Sequence, residues 1–367
     1  MKITAVEWGR VAIPLRTAFK TARRTATVAE ETILKLYTDT GAVGYGEAPA
    51  TGVVTGDTAG SIAAAFERHI GPALLNKDVD EFEDLMQLVQ ASMVHNTSPK
   101  AAADMALWDL YGQKYGVPVF KLLGGARAHL TTDLTISVNA PEEMARDAQS
   151  AIQRGFDCLK LKVGVDPTMD VARLKAIRSV VPKETVIRID ANQAWQPKQA
   201  VRILNDIQAQ GLNIEFVEQP VPAHDLDGLK YVTERSDVPV LADEAVFSPD
   251  DALKILQMHA ADLINIKLMK CGGIYNGLKI ATLAELYGVE CMIGCMLEGR
   301  VATNAAVHLA CARKVITRID LDGPLLCAKD PVHGGAIFNE KDITLPDTPG
   351  LGVTSIDGFE KIGRLEA

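Results

Sequence analysis

Five charged residues stand at nearly regular intervals through the middle of the chain, each at the end of a short segment rich in aliphatic residues. The intervals between neighbours run from 24 to 28 residues, and the residues are Lys162, Asp190, Glu218, Asp243 and Lys267. An interval of that size accommodates one β-strand, one helix and their connections. The charges therefore end successive parallel strands, and in a closed barrel such strand ends meet at one rim, where barrel enzymes carry their active sites.

The same rhythm continues on both sides of these residues and predicts eight parallel strands. The predicted strands are TTDLTISV, DCLKLKVG, TVIRIDAN, NIEFVEQP, PVLADE, DLINIKLM, VECMIGCM and ITRIDLDG. Amphipathic segments such as PKQAVRILNDIQAQG separate most of them and are typical of helices. Strands that alternate with helices in this way favour a (β/α)8-type barrel over a doubly wound sheet.

The chain divides into three parts by this rhythm. Residues 1–125 lack it, and their strand-like segments followed by helical ones predict a separate α+β domain. Residues 126–325 hold the barrel and its site. The tail, residues 326–367, is rich in Gly and Pro and has no long helical segment, so we expect it to pack back onto the N-terminal domain.

Composition excludes several classes of function. The net charge of −9 argues against nonspecific binding to nucleic acid or to an anionic membrane. No apolar run approaches the roughly 18 residues of a membrane-spanning helix. The six cysteines are scattered and follow no secretory signal segment, so we expect reduced thiols and a cytoplasmic protein. We also expect a homo-oligomer that acts on a small molecule.

Side chains alternate along a strand, so position parity separates the barrel interior from the face that meets the helices. In the second strand Lys160 and Lys162 share one face and apolar residues occupy the other. Because the apolar face must meet the helices, the charged face points into the barrel. Arg188 and Arg318 have the same parity, and for them an internal ion pair is the alternative to a role in the site.

Three of the strand-end charges form a candidate metal site. Asp190, Glu218 and Asp243 offer hard oxygen ligands with no Cys or His among them, which favours Mg²⁺ or Mn²⁺ over zinc. Without a cation, three converging carboxylates would repel each other strongly. The sequence therefore predicts a Mg²⁺ site, with Mn²⁺ as a possible substitute, that polarises a substrate carboxylate.

The two lysines lie on either side of these ligands. Lys162 ends the second strand and Lys267 the sixth, with the ligands of strands three to five between them. One lysine can remove a proton from a carbon while the other returns a proton to the opposite face, which inverts a stereocentre. We expect the dication and Lys160 to lower the pKa values of the two lysines and make a neutral base attainable.

Two acids end the eighth strand. Asp320 and Asp322 lie across the barrel from the fourth-strand ligand, so they would meet the substrate end farthest from the metal. Two acids there favour a cation such as an ammonium group. The alternative is that IDLDGP forms only a turn, since Asp-Gly-Pro is typical turn chemistry.

Several of these segments together resemble a known family. The segments KLKVG (160–164), DANQAW (190–195), EQP (218–220), ADE (242–244) and NIKLMKCGG (265–273) are similar to motifs of the enolase superfamily, in its muconate-lactonizing subgroup. The similarity spans nearly the whole chain. It implies a modified TIM barrel of (β/α)7β topology, an N-terminal α+β capping domain, and a lysine base that works with Mg²⁺ through a metal-stabilised enolate.

Within the subgroup, the Asp-x-Asp of strand eight resembles the mark of dipeptide epimerases, where it receives the substrate's α-ammonium. The segments FKTARRT (19–25) and TGVVTGDT (51–58) are similar to the substrate-covering loops of that group. The resemblance implies an isomerase that epimerises the C-terminal residue of a dipeptide by two-base 1,1-proton transfer. It also implies L-Ala-D/L-Glu as the substrate and a role in peptidoglycan peptide metabolism.

The resemblance also assigns residues of the substrate pocket. Arg24 matches the residue that would meet the glutamyl side-chain carboxylate, while Thr135 and Cys295 match residues that line the pocket. We place Lys160 among the substrate-binding residues as well. For Arg24 an exposed basic loop is the alternative, since Arg23 stands beside it.

One departure from the family affects specificity. After strand seven the family usually has Glu-Ser or Glu-Thr, whereas this chain has Glu298-Gly299-Arg300. We expect the extra guanidinium of Arg300 to lie near the pocket, where it would favour a second acidic group or change the preferred side chain. A dipeptide epimerase of other specificity therefore remains an alternative.

Three other functions compete with epimerisation. Lyases of the o-succinylbenzoate synthase or muconate cycloisomerase type act on substrates without an ammonium, against which Asp320 and Asp322 argue. Acid-sugar dehydratases of the superfamily usually need a histidine on strand seven, where this chain has Gly294 and Cys295. A metal-stabilised binding protein would leave the opposed lysines unexplained.

Overall fold

The computed structural model describes residues 1–367, which begin with an antiparallel sheet. Its first strands are β1 (Ile3–Lys20), β2 (Thr25–Thr38) and β3 (Val43–Pro49), paired in sequence order. The helical elements that follow are α1 (Ala59–Ala65), a π-helical turn (Phe66–Ile70), α2 (Gly71–Leu74), α3 (Phe82–Ala91), α4 (Thr97–Tyr115) and α5 (Val119–Leu122).

Helix α4 packs directly against strand β3, and glycine makes this close approach possible. A Cβ on Gly46 would lie 1.9 Å from the backbone oxygen of Ala102, a distance that no side chain can accept. Most of α4 is buried, because the sheet covers one of its faces and the barrel helices cover another. This helix therefore connects the N-terminal domain to the barrel.

The barrel follows, after the short strand β4 (His129–Thr131). Its strands are β5 (Leu134–Ile136), β6 (Cys158–Lys162), β7 (Val186–Asp190), β8 (Val217–Glu218), β9 (Val240–Ala242), β10 (Leu263–Ile266), β11 (Glu290–Gly294) and β12 (Ile316–Asp320). Its helices are α6 (Pro141–Gln153), α7 (Pro167–Arg178), α8 (Pro197–Ala209), α9 (Leu226–Thr233), α10 (Pro249–Met258), α11 (Leu268–Cys271), α12 (Ile274–Leu286), α13 (Arg300–Ala312) and the single turn α14 (Gly323–Leu326).

All eight predicted segments contain a strand, and the strands pair in parallel in sequence order from β5 to β12. The first and last strands approach each other, since Asp133 N–H donates to Ile319 O at 3.4 Å and Leu321 N–H to Thr132 Oγ1 at 2.8 Å. Because only a single helical turn follows β12, the topology is (β/α)7β. The predicted fold class, a modified TIM barrel with an N-terminal domain, is confirmed.

The tail adds five short strands that return toward the start of the chain. These are β13 (Val332–Gly334), β14 (Ile337–Asn339), β15 (Asp342–Thr344), β16 (Val353–Ile356) and β17 (Glu360–Glu366). Strand β17 pairs antiparallel with β1, whereas β15 pairs with β4 near the barrel. We propose domain boundaries near residues 125 and 325, and the pairing of β17 with the N-terminal sheet supports this division.

Buried carboxylates attach the N-terminal domain to the barrel. Asp104 of α4 accepts the N–H groups of Ile274 and Tyr275 at 2.6 and 3.1 Å, at the start of α12. Glu47 of β3 accepts the N–H of Gly299 at 2.7 Å, at the start of α13. Helix N-termini favour negative charge, so these contacts hold the N-terminal domain over the rim where the barrel strands end.

No helix of the structure combines the length and apolar character that crossing a bilayer requires.

Candidate active site

The strand ends of the barrel and two segments of the N-terminal domain enclose one polar cavity. Nine of the eleven residues predicted for the site line it: Arg24, Thr135, Lys160, Lys162, Asp243, Lys267, Cys295, Asp320 and Asp322. The other two, Asp190 and Glu218, are fully buried and contact the lysines that line the cavity. The structure therefore brings all the predicted residues to one place.

Sheet register explains why these charges meet. Lys162 of β6 lies opposite Asp190 of β7, and Asp190 in turn lies opposite Glu218 of β8. Side chains at matching positions of neighbouring strands point the same way, so one row of the sheet presents a lysine and two carboxylates. Asp243 and Lys267 stand one residue beyond the ends of β9 and β10 and continue the row.

Each carboxylate of the predicted metal site faces an ammonium group. Lys162 Nζ lies 2.6 Å from Asp190 Oδ2, and Lys267 Nζ lies 2.7 Å from Asp243 Oδ2. Lys160 Nζ lies 2.6 Å from Glu218 Oε2, although it lacks the alignment of a hydrogen bond and leaves that oxygen without a hydrogen-bond partner. As the side chains stand, no three acidic groups share a common coordination point.

The donor chemistry nevertheless fits a hard divalent cation. Burial raises the pKa of the Glu218 carboxyl to about 8, and the negative charges of Asp190 and Asp243 add to this shift, while Lys160 opposes it. A carboxylate that is buried beside two others, with one oxygen unpartnered, is stabilised by additional positive charge. Asp190, Glu218 and Asp243 are therefore the residues that would hold a metal ion here.

The two lysines approach the cavity from opposite sides of the carboxylates. Strands β7, β8 and β9 separate β6, which ends at Lys162, from β10, after which Lys267 follows. Both side chains are more than nine-tenths buried, yet both line the cavity. This is the opposed placement that the strand order predicts.

The charge state of Lys267 depends on what lies between the lysines. Burial alone would lower its pKa, but the carboxylates of Asp243 and Glu218 outweigh burial and raise the pKa above its ordinary value. The protein's own groups therefore do not produce the lower pKa that we predicted for this base. That lowering requires the positive charge of a bound dication next to the ammonium.

The acids of the eighth strand lie at the other side of the cavity. Asp320 Oδ2 accepts a hydrogen bond from Lys160 Nζ at 2.6 Å, and Asp322 Oδ2 accepts one from Thr135 N–H at 2.6 Å. Burial, and next the charge of Asp320, raise the pKa of Asp322 to about 6. Asp322 precedes the helical turn α14, but its side chain makes no capping hydrogen bond there. The segment is thus more than a turn, and it presents two buried acids to the cavity.

Two segments of the N-terminal domain cover the cavity, and Arg23, Arg24, Val53 and Val54 line it from there. The first segment is anchored where β1 ends, since Lys20 N–H donates to Ser137 Oγ at 3.0 Å. Burial lowers the pKa of Arg24 below its ordinary value, and Glu31 opposes the shift. Arg24 is therefore a half-buried cation facing the cavity rather than part of an exposed basic loop.

Arg300 does not lie near the pocket, and our expectation for it is wrong. Its guanidinium points toward the C-terminal tail, where Nη1 donates to Gly334 O at 2.5 Å and to Ala336 O at 2.9 Å. It also binds Val332 O and the Asp330 carboxylate. Arg300 begins helix α13, and the direction of its side chain depends on the C-terminal tail that packs beside the start of this helix. Position in the sequence does not reveal that contact.

This geometry makes Arg300 a stabilising residue. Arg300→Met should lower the free energy of unfolding by about 2 kcal/mol, because the partly buried carbonyl oxygens of Val332 and Ala336 lose a charged donor. Urea denaturation monitored by circular dichroism measures the change. A variant as stable as the wild type would show that the tail does not depend on these bonds.

The structure adds two site residues that sequence reasoning missed. Lys270 is fully buried, and its Nζ lies 2.5 Å from Asp243 Oδ1 and 3.1 Å from Asn265 O. Asn265 Nδ2 donates to Glu218 Oε1 at 2.7 Å. Both could have been found: Asn265 shares the parity of Lys267, and Lys270 stands one helical turn after it.

The internal arginines form the ion pairs that were the alternative to a role in the site. Arg188 binds Asp133 and Glu215, each at 2.7 Å, and Arg318 binds the same Glu215 at 2.8 Å. Glu215 stands two residues before β8, whereas Glu218 is the last residue of that strand. These ion pairs therefore lie toward the end of the barrel opposite the site, which we call the barrel floor.

Comparison with known proteins agrees with this architecture. The model of the mandelate racemase / muconate lactonizing enzyme N-terminal domain matches residues 2–124, and the enolase C-terminal domain-like model matches residues 143–357. The L-Ala-D/L-Glu epimerase of Clostridium acetobutylicum is 53% identical over 357 residues, which cover 97% of this chain and 100% of that protein.

Two solved structures are also similar. One is a substrate-liganded complex of the L-Ala-D/L-Glu epimerase from Bacillus subtilis, with a TM-score of 0.96, 47% identity, and coverage of 97% of this chain and 99% of that one. The other is the dipeptide epimerase from Enterococcus faecalis V583 complexed with Mg and the dipeptide L-Leu-L-Tyr, with a TM-score of 0.94, 40% identity, and coverage of 97% and 100%.

With a capping domain, a (β/α)7β barrel and a rim of opposed lysines around three carboxylates, matched along nearly its whole length, the chain belongs to the mandelate racemase and muconate lactonizing enzyme family of the enolase superfamily.

Proposed function

We propose that the protein is a Mg²⁺-dependent dipeptide epimerase that inverts the α-carbon of the C-terminal residue, with L-Ala-D/L-Glu as its substrate. One observation carries the proposal: Lys162 and Lys267 line a single cavity from opposite sides of three carboxylates. The relatives described above, named as L-Ala-D/L-Glu epimerases, support the choice of dipeptide.

The cavity holds a dipeptide by its charged groups. Asp320 and Asp322 bind the α-ammonium at one end, and the residues Asp190, Glu218 and Asp243 hold the cation at the other. When bound, Mg²⁺ supplies positive charge to the substrate carboxylate, which makes the neighbouring α-proton more acidic. Arg24 binds the glutamyl side-chain carboxylate from the covering segment. These contacts fix the α-carbon between the two lysines.

The lysines then move one proton each. A neutral lysine Nζ takes the α-proton, and the electron pair of the broken C–H bond passes to the carboxylate. The ammonium of the opposite lysine donates a proton to the other face of the same carbon, and the configuration inverts. The two lysines exchange roles for the opposite epimer, so the same site serves both directions.

Incubation with L-Ala-L-Glu in D2O tests the proposal. We expect deuterium at the glutamyl α-carbon together with conversion to L-Ala-D-Glu, observed by NMR and chiral chromatography. The dipeptide must carry the label at the C-terminal residue and not at the alanine. No exchange into any dipeptide of a library would instead favour a binding protein.

The glutamate preference rests on Arg24. Arg24→Met should lower kcat/KM for Ala-Glu roughly 10- to 100-fold, because a charge-assisted hydrogen bond to the substrate is lost. The corresponding loss of transition-state stabilisation is about 1.5–3 kcal/mol. A dipeptide that ends in an apolar residue should lose much less. Steady-state kinetics on both substrates measure the difference.

Arg300→Met is the matched control, since it removes an arginine that the structure places outside the cavity. It should leave the ratio of the two kcat/KM values unchanged. Equal losses on the acidic and apolar dipeptides in Arg24→Met would leave the epimerase in place but remove glutamate as its preferred residue, and Arg23, which also lines the cavity, would be tested next.

N-acetylation of the dipeptide tests the ammonium site. The modification should lower kcat/KM by an amount that corresponds to a loss of roughly 2–5 kcal/mol of binding free energy in the transition state, because it removes the positive charge that the two buried acids would otherwise bind. Replacing the alanine by serine, which keeps the ammonium, should cost far less. A small effect of acetylation would place the ammonium elsewhere and would favour the lyase or cycloisomerase chemistries, whose substrates have none.

Cellular context completes the proposal. All six cysteines are unpaired, which is typical of a reducing compartment, so we propose a cytoplasmic enzyme that acts on peptidoglycan-derived dipeptides. We also keep the prediction of a homo-oligomer, which light scattering of the purified protein tests. Replacement of Mg²⁺ by Mn²⁺ should preserve activity, since both ions bind the same hard oxygen ligands.

A further inference from the structure

Gly294, the last residue of β11, lies where a side chain would collide with two site residues. A Cβ at this position would lie 2.8 Å from Lys267 Cε and 2.8 Å from Asn265 Oδ1, and 2.9 Å from Asn265 Nδ2. Contacts below 3.0 Å are essentially never observed for real Cβ atoms. Any side chain at position 294 therefore forces Lys267, Asn265 or both to move.

Both neighbours are buried and held by polar contacts. Asn265 is fully buried and donates to the metal-site carboxylate Glu218 at 2.7 Å. Lys267 is 7% exposed, and its Nζ contacts Asp243 Oδ2 at 2.7 Å. A shift of either side chain would move a group that the proposed reaction needs in place.

The backbone does not explain the glycine. Gly294 is absent from the glycines with positive φ, and it ends a parallel strand in which it lies opposite Asp320. An alanine could adopt this backbone without strain. What distinguishes the position is the volume that the missing side chain leaves for the lysine.

We propose that Gly294 is a positioning residue: its missing side chain gives the stem of Lys267 the room to reach the α-carbon from its own side of the cavity. The inference rests on the two-base reaction proposed above. Lys162 lies on β6, on the other side of the carboxylates, and supplies none of the three atoms nearest to a Cβ at position 294. A side chain at 294 therefore displaces Lys267 directly, while any shift of Asn265 would reach the metal site through Glu218 and affect both lysines alike.

Exchange of the α-proton with D2O, measured separately for each epimer of Ala-Glu, tests this asymmetry. Lys162→Ala and Lys267→Ala identify which epimer each lysine deprotonates. Gly294→Ala should lower the exchange of the Lys267 epimer by about 100-fold, since a misplacement of about 1 Å can cost that much, and should lower the exchange of the Lys162 epimer far less. Equal losses on the two epimers would overturn the proposal.

Gly277→Ala is the matched control, because a Cβ there, in α12, would meet Leu309 Cδ2 at the same 2.8 Å, whereas the neighbours of Lys267, Leu268 and Ile266, lie at ordinary contact distances of 3.5 and 3.6 Å. It should show the effect of crowding on stability without a difference between the epimers. A wild-type enzyme that exchanges neither epimer would instead refute the epimerase function itself, so the two failures are distinguishable.

A double variant keeps the test valid if Gly294→Ala alone does not fold. In the Lys267→Ala background the clash with the lysine stem is gone and only the contact with Asn265 remains, so adding Gly294→Ala should change the remaining exchange by Lys162 little relative to Lys267→Ala alone. Loss of that exchange, or of the folded state, would mean that Gly294 acts through Asn265 or general packing and does not position the lysine.

Discussion

Lys267→Ala is expected to lower the rate of epimerisation of Ala-Glu by up to about 10⁴-fold, while proton exchange of one epimer persists. A general base contributes about 10²–10⁴-fold to a rate, and inversion here needs both lysines in every turnover. Lys162 remains intact on the opposite side of the cavity, so the epimer whose α-proton faces it can still lose that proton to D2O. Chiral chromatography measures inversion, and NMR measures deuterium incorporation.

The reciprocal variant makes this test decisive. Lys162→Ala should lower the rate of epimerisation to the same degree but retain exchange in the other epimer. In the first variant, Lys267→Ala, Asp243 keeps the buried Lys270 as an ion-pair partner at 2.5 Å, so that variant should still fold. If either lysine alone sustained full epimerisation, the two-base mechanism would have to be abandoned.

Glu218→Gln is expected to remove Mg²⁺ binding together with activity, with a loss in kcat of about 10³-fold or more, as for deletion of a main electrostatic stabiliser. A neutral amide cannot balance a dication or share its coordination with Asp190 and Asp243. Isothermal titration with Mg²⁺ gives a readout that does not depend on turnover. Among the three proposed metal ligands, Glu218 is the best one to replace, because in Glu218→Gln the buried Lys160 keeps Asp320 as an ion-pair partner at 2.6 Å.

Glu215→Gln is the matched control for this experiment. It changes the same residue type three positions earlier, where Glu215 binds Arg188 and Arg318 at 2.7 and 2.8 Å on the barrel floor. It should lower stability and leave Mg²⁺ binding and the reaction in place. Retention of Mg²⁺ binding in Glu218→Gln would remove Glu218 from the metal site.

The active-site charges were predictable from the sequence because two simple periods act together. The βα interval placed Lys162, Asp190, Glu218, Asp243 and Lys267 at the ends of consecutive strands, and those ends must meet at one rim of a closed barrel. Strand parity then separated the inward charges from the apolar residues that face the helices. The structure places all five around one cavity.

Other features depended on contacts between segments far apart in the sequence. The sequence predicts Arg300 near the pocket, but its guanidinium binds carbonyl groups of the C-terminal tail, which lie more than 30 residues later in the chain and outside the cavity. The sequence also does not identify Lys270 as the partner of Asp243 or Asn265 as the partner of Glu218, because residue spacing does not show which carboxylate each side chain reaches.

The barrel, the rim on which its charges gather and the opposition of the two lysines follow from strand order and from the period of the chain, so they can be predicted without a structure. Three-dimensional contacts set which ammonium faces which carboxylate, that Lys160 lies between Glu218 and Asp320, and that Gly294 leaves room for Lys267. Such details depend on distances of a few ångströms between strands and loops, and the close packing of a barrel interior sets those distances.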